Sequence, residues 1–220
     1  LHPVQGVVAR FDRPIEAWHG PMQSALCAEF SEIEDGYGVT IEAAPIHPGL
    51  AATSVTWDGA SAHAAEIATH RNQAVLIALT RDRGEGRVSL DERADVSYTL
   101  DPYDAEHLAV GVDAATRIAQ AAGAVDVRTF VRSDGRAPLY SAHQMGTARM
   151  AAHAADGVAD AEGRVFGVDG VLVADASAFP SASGVNPMLT IMALAHRTVR
   201  AELRRRGAAA GFASRAPSRS

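Results

Sequence analysis

The stretch SGVNPMLTIMALAHRTV, residues 183–199, constrains the fold more than any other in the chain. Asn186 precedes a proline, and the proline ring pushes the residue before it out of helical angles. Pro187 has no N–H to leave unpaired, and its fixed φ suits the first helical position. A helix is therefore expected to start at Pro187 and to run to about residue 206. Its opening turns, MLTIMALA, are too apolar all round for a surface helix, so they are expected to be buried. The N–H groups of Met188 and Leu189 would then lack intrahelical acceptors. Together with the helix dipole they form a site for negative charge. The competing reading is that Asn186 caps its own helix with its side chain.

The chain has 220 residues, enough for one domain or two small ones. Its 47% hydrophobic and 21% charged content is that of a globular protein. A net charge of −6 with no evident basic face argues against a nucleic-acid binder. The Arg204-Arg205-Arg206 run suits a solvated helix C-terminus, where positive charge meets the dipole favourably. The lone Cys27 excludes an internal disulfide framework and any multi-cysteine metal site. No apolar run reaches the ~18 residues of a membrane span. The first residues lack the charged-then-apolar order of a signal peptide, so a cytoplasmic location is the expectation. The sequence opens on Leu1 inside a strand-like run, which suggests the C-terminal piece of a longer protein.

The Val-rich run VQGVVARFD, 4–12, reads as a strand, and GYGVTIEAAPIHPG, 36–49, holds a second closed by two prolines. SAHAAEIATHRNQ, 61–73, reads as a helix. AVLIALTRD, 74–82, is apolar enough for a strand buried on both faces. RVSL and VSYTL flank a polar turn and predict a hairpin over 87–100. The segment 101–123 predicts the clearest helix, with Asp101 as N-cap, Pro102 at the first position and Gly123 as the stop. Leu108, Val112, Ala115 and Ile118 or Ala119 form its apolar stripe. Beyond residue 130 the chain becomes irregular, with a short strand expected at VLVAD, 171–175, before the final helix. Residues 207–220 are small and polar, as in a disordered tail.

Three features of the last third carry candidate chemistry. His143, in the loop SAHQMGT, is a side chain able to take a proton near neutral pH. Asp175 ends the expected strand VLVAD, where a carboxylate either binds a ligand hydroxyl or caps a turn. The third is the helix start at Asn186. Ser177 is a poor nucleophile candidate, because neither DASAF nor SASGV matches G-x-S-x-G. His63, Glu66 and His70 could share a helix face, but the spacing is not H-E-x-x-H, so no metal is expected and the face reads as solvated. His153 reads as an ordinary exposed residue. No G-x-G-x-x-G follows a strand, so the sequence carries no dinucleotide fingerprint.

Taken in order, SAHQMGTARM and GRVFGVDGVLVADASAFPSASGVNPMLTIMALAHR resemble the C-terminal signature of the glucose–methanol–choline (GMC) oxidoreductases. The 43 residues from His143 to Asn186 resemble the spacing of the family's His/Asn branch, to which cholesterol oxidase is similar. The earlier part, with FDRPIEAWHGPMQSALCAEF and IEAAPIHPGLAA, resembles the substrate-domain portion of the long-chain fatty alcohol oxidases. The resemblance implies a mixed α+β / α/β fold. Residues 1–140 would be an antiparallel-sheet substrate-binding domain with helices. Residues 141–206 would be the C-terminal elements of an FAD-binding, Rossmann-like domain.

It also implies an FAD-dependent oxidation of the CH–OH group of an alcohol, with a long-chain or other apolar alcohol as small-molecule substrate. The electron acceptor, oxygen or another, stays open. In the implied site His143 is the base, Asn186 binds the substrate oxygen, and hydride passes to flavin N5. Asp175, Ala176, Asn186, Pro187, Met188 and Leu189 contact the FAD. The family's main FAD-binding unit would precede Leu1, and the chain alone would be inactive. The alternative is a non-catalytic binding or regulatory module of the same fold.

Overall fold

The run QAVLIALT becomes the central strand of a five-stranded sheet. In chain order the first unit contains β1 (Val4–Arg10), β2 (Leu26–Cys27), β3 (Val39–Ala44), α1 (Pro48–Ser54), α2 (Ala60–Ala68), β4 (Gln73–Thr80), β5 (Gly86–Leu90), β6 (Ala94–Tyr98), α3 (Pro102–Ala121) and β7 (Asp126–Thr129). The sheet order is β2-β3-β4-β1-β7, and every neighbouring pair is antiparallel. The computed structural model describes residues 1–21, 23–55, 57–129 and 139–207. They divide into two compact units, with the first closing at Ala142 and the second opening at His143.

The register explains why β4 is apolar throughout. Val7, Ile41 and Ala78 point to the face covered by α3, packing with Ala114, Ala115 and Leu108. Val4, Val8, Val75, Ile77 and Leu79 form a second apolar cluster on the opposite face, joined by Ala44 and Ile46. A strand with apolar neighbours on both sides cannot alternate polar and apolar residues.

Helix α3 forms as its local signals predict. Asp101 Oδ1 accepts from the Tyr103 N–H at 2.9 Å, Pro102 opens the helix, and Gly123 turns the chain at φ +88°. The buried stripe is wider than predicted, because it includes the fully buried Asp104. Its carboxylate accepts from the backbone N–H groups of Arg83 and Gly84, so a loop backbone satisfies the charge. Ile118 is partly exposed, and Ala119 takes the buried position instead. Gly111 brings α3 close to the sheet. A Cβ there would lie 2.5 Å from Val39 Cγ2 and 3.0 Å from Ala78 Cβ.

The predicted hairpin forms as β5 and β6, with Val88 opposite Val96 and Leu90 opposite Ala94. These apolar side chains are exposed, so the hairpin rests on its ladder and on the Tyr98 hydroxyl, which donates to Asp82 at 3.0 Å. The expected helix over 61–73 divides. Helix α2 ends at Ala68, a 3₁₀ turn follows at His70–Asn72, and Gln73 already belongs to β4.

Among the described residues of the second unit the one long element is α4 (Met188–Arg205). The expected strand VLVAD does not form; only an isolated bridge from Leu172 to Arg164 is present. A strand needs a continuous ladder partner, and within this unit that segment has none. The unit is closed instead by close backbone approaches. Gly163, at φ +80°, is buried where a Cβ would meet the Val173 carbonyl at 2.5 Å and Thr198 Oγ1 at 2.6 Å. At its far end α4 keeps the predicted basic turn. Arg205 and Arg206 donate to Glu202 and hold its carboxyl down to about 2. Apart from Gly207, the tail at 207–220 lies outside the described residues.

Replacing Gly111 by Ala is expected to destabilise the first unit by about 1–3 kcal/mol, the usual cost of overpacking. Thermal denaturation followed by circular dichroism checks this. An unchanged melting temperature would mean that α3 does not lean on the sheet at this point.

Candidate active site

The loop that carries His143 has no regular structure of its own, and it is held by a neighbour distant in sequence. The N–H groups of Gly146, Ala148 and Met150 donate to the carbonyls of Ala176, Ser177 and Ala178 at 3.2, 3.0 and 2.9 Å. The motifs SAHQMGTARM and VADASAFP are thereby zipped together along their backbones. Gly146 has φ +85°, and a Cβ there would touch the Phe179 carbonyl at 3.4 Å. Beyond the zipper Ala178, Phe179 and Ala182 are buried and anchor the turn in its unit.

Asp175 shapes that turn. Its Oδ1 accepts from both the hydroxyl and the N–H of Ser177, opening the short 3₁₀ turn Ala176–Ala178. Those two bonds hold the Asp175 carboxyl below the ordinary carboxylate range. The carboxylate is exposed, so one oxygen serves the turn while the group still faces outward. Ser177 is occupied by Asp175, as a structural rather than a nucleophilic serine would be.

His143 is half-buried, and desolvation lowers its pKa below the ordinary 6.5. The imidazole is therefore neutral at pH 7, the state in which it can accept a proton. His153, ten residues on, is exposed.

The start of α4 departs from expectation in two ways. Pro187 is the N-cap residue, at φ −85° and ψ −2°, and its carbonyl accepts the first helical bond from the Ile191 N–H at 2.8 Å. It thus lies one place earlier than the first helical position and brings no side-chain acceptor to the Met188 and Leu189 N–H groups. The opening turn is also exposed rather than buried. Met188 is 66% and Leu189 72% exposed, with Met192 and Val185 exposed beside them. The all-apolar pattern describes side chains suited to burial, and among the described residues of the second unit nothing covers this face. Asn186 is exposed directly before the buried Pro187.

His63, Glu66 and His70, expected on a solvated face, do not share one. His63 Nε2 pairs with the Ala52 carbonyl, buried His70 pairs through Nε2 with the Ile46 carbonyl and stacks on Trp18, and Glu66 Oε1 accepts from Gln73 and Arg128. Among the described residues no group of His, Cys, Asp and Glu is placed to hold a metal ion. No helix among them is long and apolar enough to cross a membrane.

Residues 82–195 match the family model for GMC oxidoreductases, over more than half of the chain. The chain belongs to the GMC oxidoreductase family. An uncharacterized GMC-type oxidoreductase of Mycobacterium tuberculosis is 36% identical, over 89% of this chain and 33% of that protein. A long-chain-alcohol oxidase of Arabidopsis thaliana is 28% identical, over 89% of this chain and 32% of that enzyme. The chain thus spans about a third of the length of these curated relatives. Among solved structures, pyridoxine 4-oxidase from Mesorbium loti aligns with a TM-score of 0.62 at 16% identity, covering 92% of this chain and 42% of that one. Formate oxidase aligns with a TM-score of 0.57 at 13% identity, over 94% of this chain and 47% of that one. At these identities the two structures show the fold.

The residues at the α4 start suit a flavin of the kind this family implies. The N-cap Pro187 brings no side-chain acceptor to the first N–H groups, and the opening turn gives an exposed apolar surface that would suit a flat ring.

The close approach at Gly163 makes a testable claim about backbone geometry. Gly163→Ala places a side chain in left-handed backbone and against two close neighbours, so a loss of about 2 kcal/mol or more is expected. Chemical denaturation checks it, and a loss below ~0.5 kcal/mol would show that the 163–173 approach is not a constraint.

Proposed function

We propose that this chain supplies the substrate-side and catalytic-loop residues of an FAD-dependent oxidoreductase acting on the CH–OH group of an apolar alcohol. The observation that carries the reading is the half-buried, neutral His143 in a loop clamped to the Asp175–Ala178 turn. Family membership and the long-chain-alcohol oxidase relatives support it. FAD, when bound, supplies the acceptor for the hydride lost from the carbinol carbon.

The chain's own residues do the rest. His143 takes the hydroxyl proton, which its lowered pKa allows at neutral pH. Asn186 offers a side-chain amide to the substrate oxygen and fixes the direction of the C–H bond. The Met188 and Leu189 N–H groups, with no side-chain cap at Pro187, would favour negative charge on a flavin held there. Met188, Leu189 and Met192 give that ring an apolar bed that excludes water. Asp175 and Ala176 would hold the ribityl and phosphate region. Residues 1–140 bind the substrate and residues 141–206 serve flavin and catalysis. The electron acceptor is oxygen or another small oxidant, and the location is cytoplasmic.

Anaerobic bleaching of the flavin absorbance in the flavin-loaded enzyme, run against a panel of alcohols, tests the reading. His143→Ala and Asn186→Ala are each expected to slow flavin reduction by at least ~10²-fold. Near-wild-type reduction in both variants would discard the assignment.

A pH profile gives a second check. A base whose pKa is lowered is already deprotonated below the ordinary value, so kcat/KM should rise with pH and reach half its plateau below 6.5. A midpoint above 7 would rule His143 out as the titrating base.

A further inference from the structure

Ser177 bonds to two parts of the second unit through separate atoms. Its N–H and its hydroxyl both donate to Asp175 Oδ1, the N–H at 2.8 Å. Its carbonyl accepts the middle rung of the zipper, from the Ala148 N–H at 3.0 Å. One residue thus holds a carboxylate on one side and the loop after His143 on the other.

We propose that Ser177 is a positioning residue, coupling the carboxylate that would hold the flavin to the loop that carries the base. The inference rests on the flavin-dependent reading above and adds to it a residue that acts through Asp175 and Ala148. The hydroxyl is what makes it specific. Any residue at this position other than proline offers Asp175 an N–H. Serine adds a second, charge-assisted bond to the same oxygen. Two donors on Oδ1 fix the direction of the carboxylate, and among the described residues Oδ2 has no hydrogen-bond partner.

The turn carries that constraint across to the loop. The Ala178 N–H donates to the Asp175 carbonyl at 3.2 Å and the Phe179 N–H to the Ala176 carbonyl at 3.1 Å. The turn so closed presents the carbonyls of Ala176, Ser177 and Ala178 in a row to Gly146, Ala148 and Met150. The far end of the loop has an anchor of its own. The Arg149 carbonyl accepts from the Val158 N–H at 2.9 Å, and the Ala151 N–H donates to the Ala159 carbonyl at 2.9 Å. The rungs at Gly146 and Ala148 lie between that anchor and His143. Loosening Ser177 therefore releases the end that carries the imidazole, where a small displacement of a catalytic group is costly.

The test compares the full-length, flavin-loaded enzyme with its Ser177→Ala and Ser177→Thr variants. In Ser177→Ala the limiting rate of anaerobic flavin reduction is expected to fall about 10-fold while KM for the alcohol moves less than ~2-fold, the split expected of a lost orientation. The flavin dissociation constant, read by fluorescence titration, should rise about 5-fold or more, the lower end of ordinary coupling. Ser177→Thr keeps the hydroxyl and should restore both. Hydrogen exchange on the unmodified protein stands independently of whether a variant folds. Coupling is reciprocal, so flavin binding should slow the Ala148 amide by about 5-fold or more. Unchanged reduction and flavin affinity in folded Ser177→Ala, a threonine variant no better than alanine, or an Ala148 amide unmoved by flavin each overturn the proposal while leaving alcohol oxidation intact. Failure of every alcohol to bleach the wild-type flavin removes the parent reading and the base with it.

Discussion

Three amide-to-carbonyl hydrogen bonds, from Gly146, Ala148 and Met150 to Ala176, Ser177 and Ala178, hold the second unit's functional face together. The loop around His143 has no strand or helix to fix it, so its position is set by the turn to which it is zipped. That turn is set in turn by Asp175, which spends one carboxylate oxygen on Ser177, and by Phe179 and Ala182 in the core. The zipper uses main-chain atoms alone. At Gly146, with its φ of +85°, a side chain would be strained.

Helix α4 shows how an apolar pattern can be read wrongly for location. MLTIMALA is apolar on every side, and periodicity alone equates that with burial. Met188 and Leu189 are nevertheless the most exposed part of the helix start. Contiguous exposed apolar surface marks a place where something else binds. Sequence records the suitability of the turn for a nonaqueous neighbour. It does not record whether that neighbour is protein from the same unit or a bound ring system.

The elements that were legible are those whose causes are local. Asp101, Pro102 and Gly123 punctuate α3 within a few residues of its ends, and the apolar run of β4 needs no partner to be recognised. The hairpin at 86–98 follows from two alternating runs about a polar turn. What could not be read depends on distant partners. The run VLVAD has strand composition but no ladder in this unit. Asp104 looks like a solvated helix residue, until the backbone of Arg83 and Gly84 arrives to satisfy it twenty positions upstream. His63, Glu66 and His70 share a helical spacing on paper. The helix stops at Ala68, which sends His70 into the core and breaks the face. Of the candidate site, the zipper that ties the loop after His143 to the turn after Asp175 was not readable, because it joins main-chain groups distant in sequence.

The two means of fixing the site have different consequences for proton chemistry. A histidine held by a carboxylate has its pKa raised, and it must lose a proton before it can act as a base. His143 is instead shifted downward, with burial as the main cause, while its loop is positioned by backbone bonds that carry no net charge. Orientation and protonation state are thereby set by separate parts of the structure. A substitution that loosens the zipper exposes the imidazole to water and moves its pKa back up. A substitution that buries it further lowers the pKa without moving the loop. The glycine at 146 belongs to the first of these controls, since its φ of +85° permits the close approach of the loop to the Phe179 carbonyl.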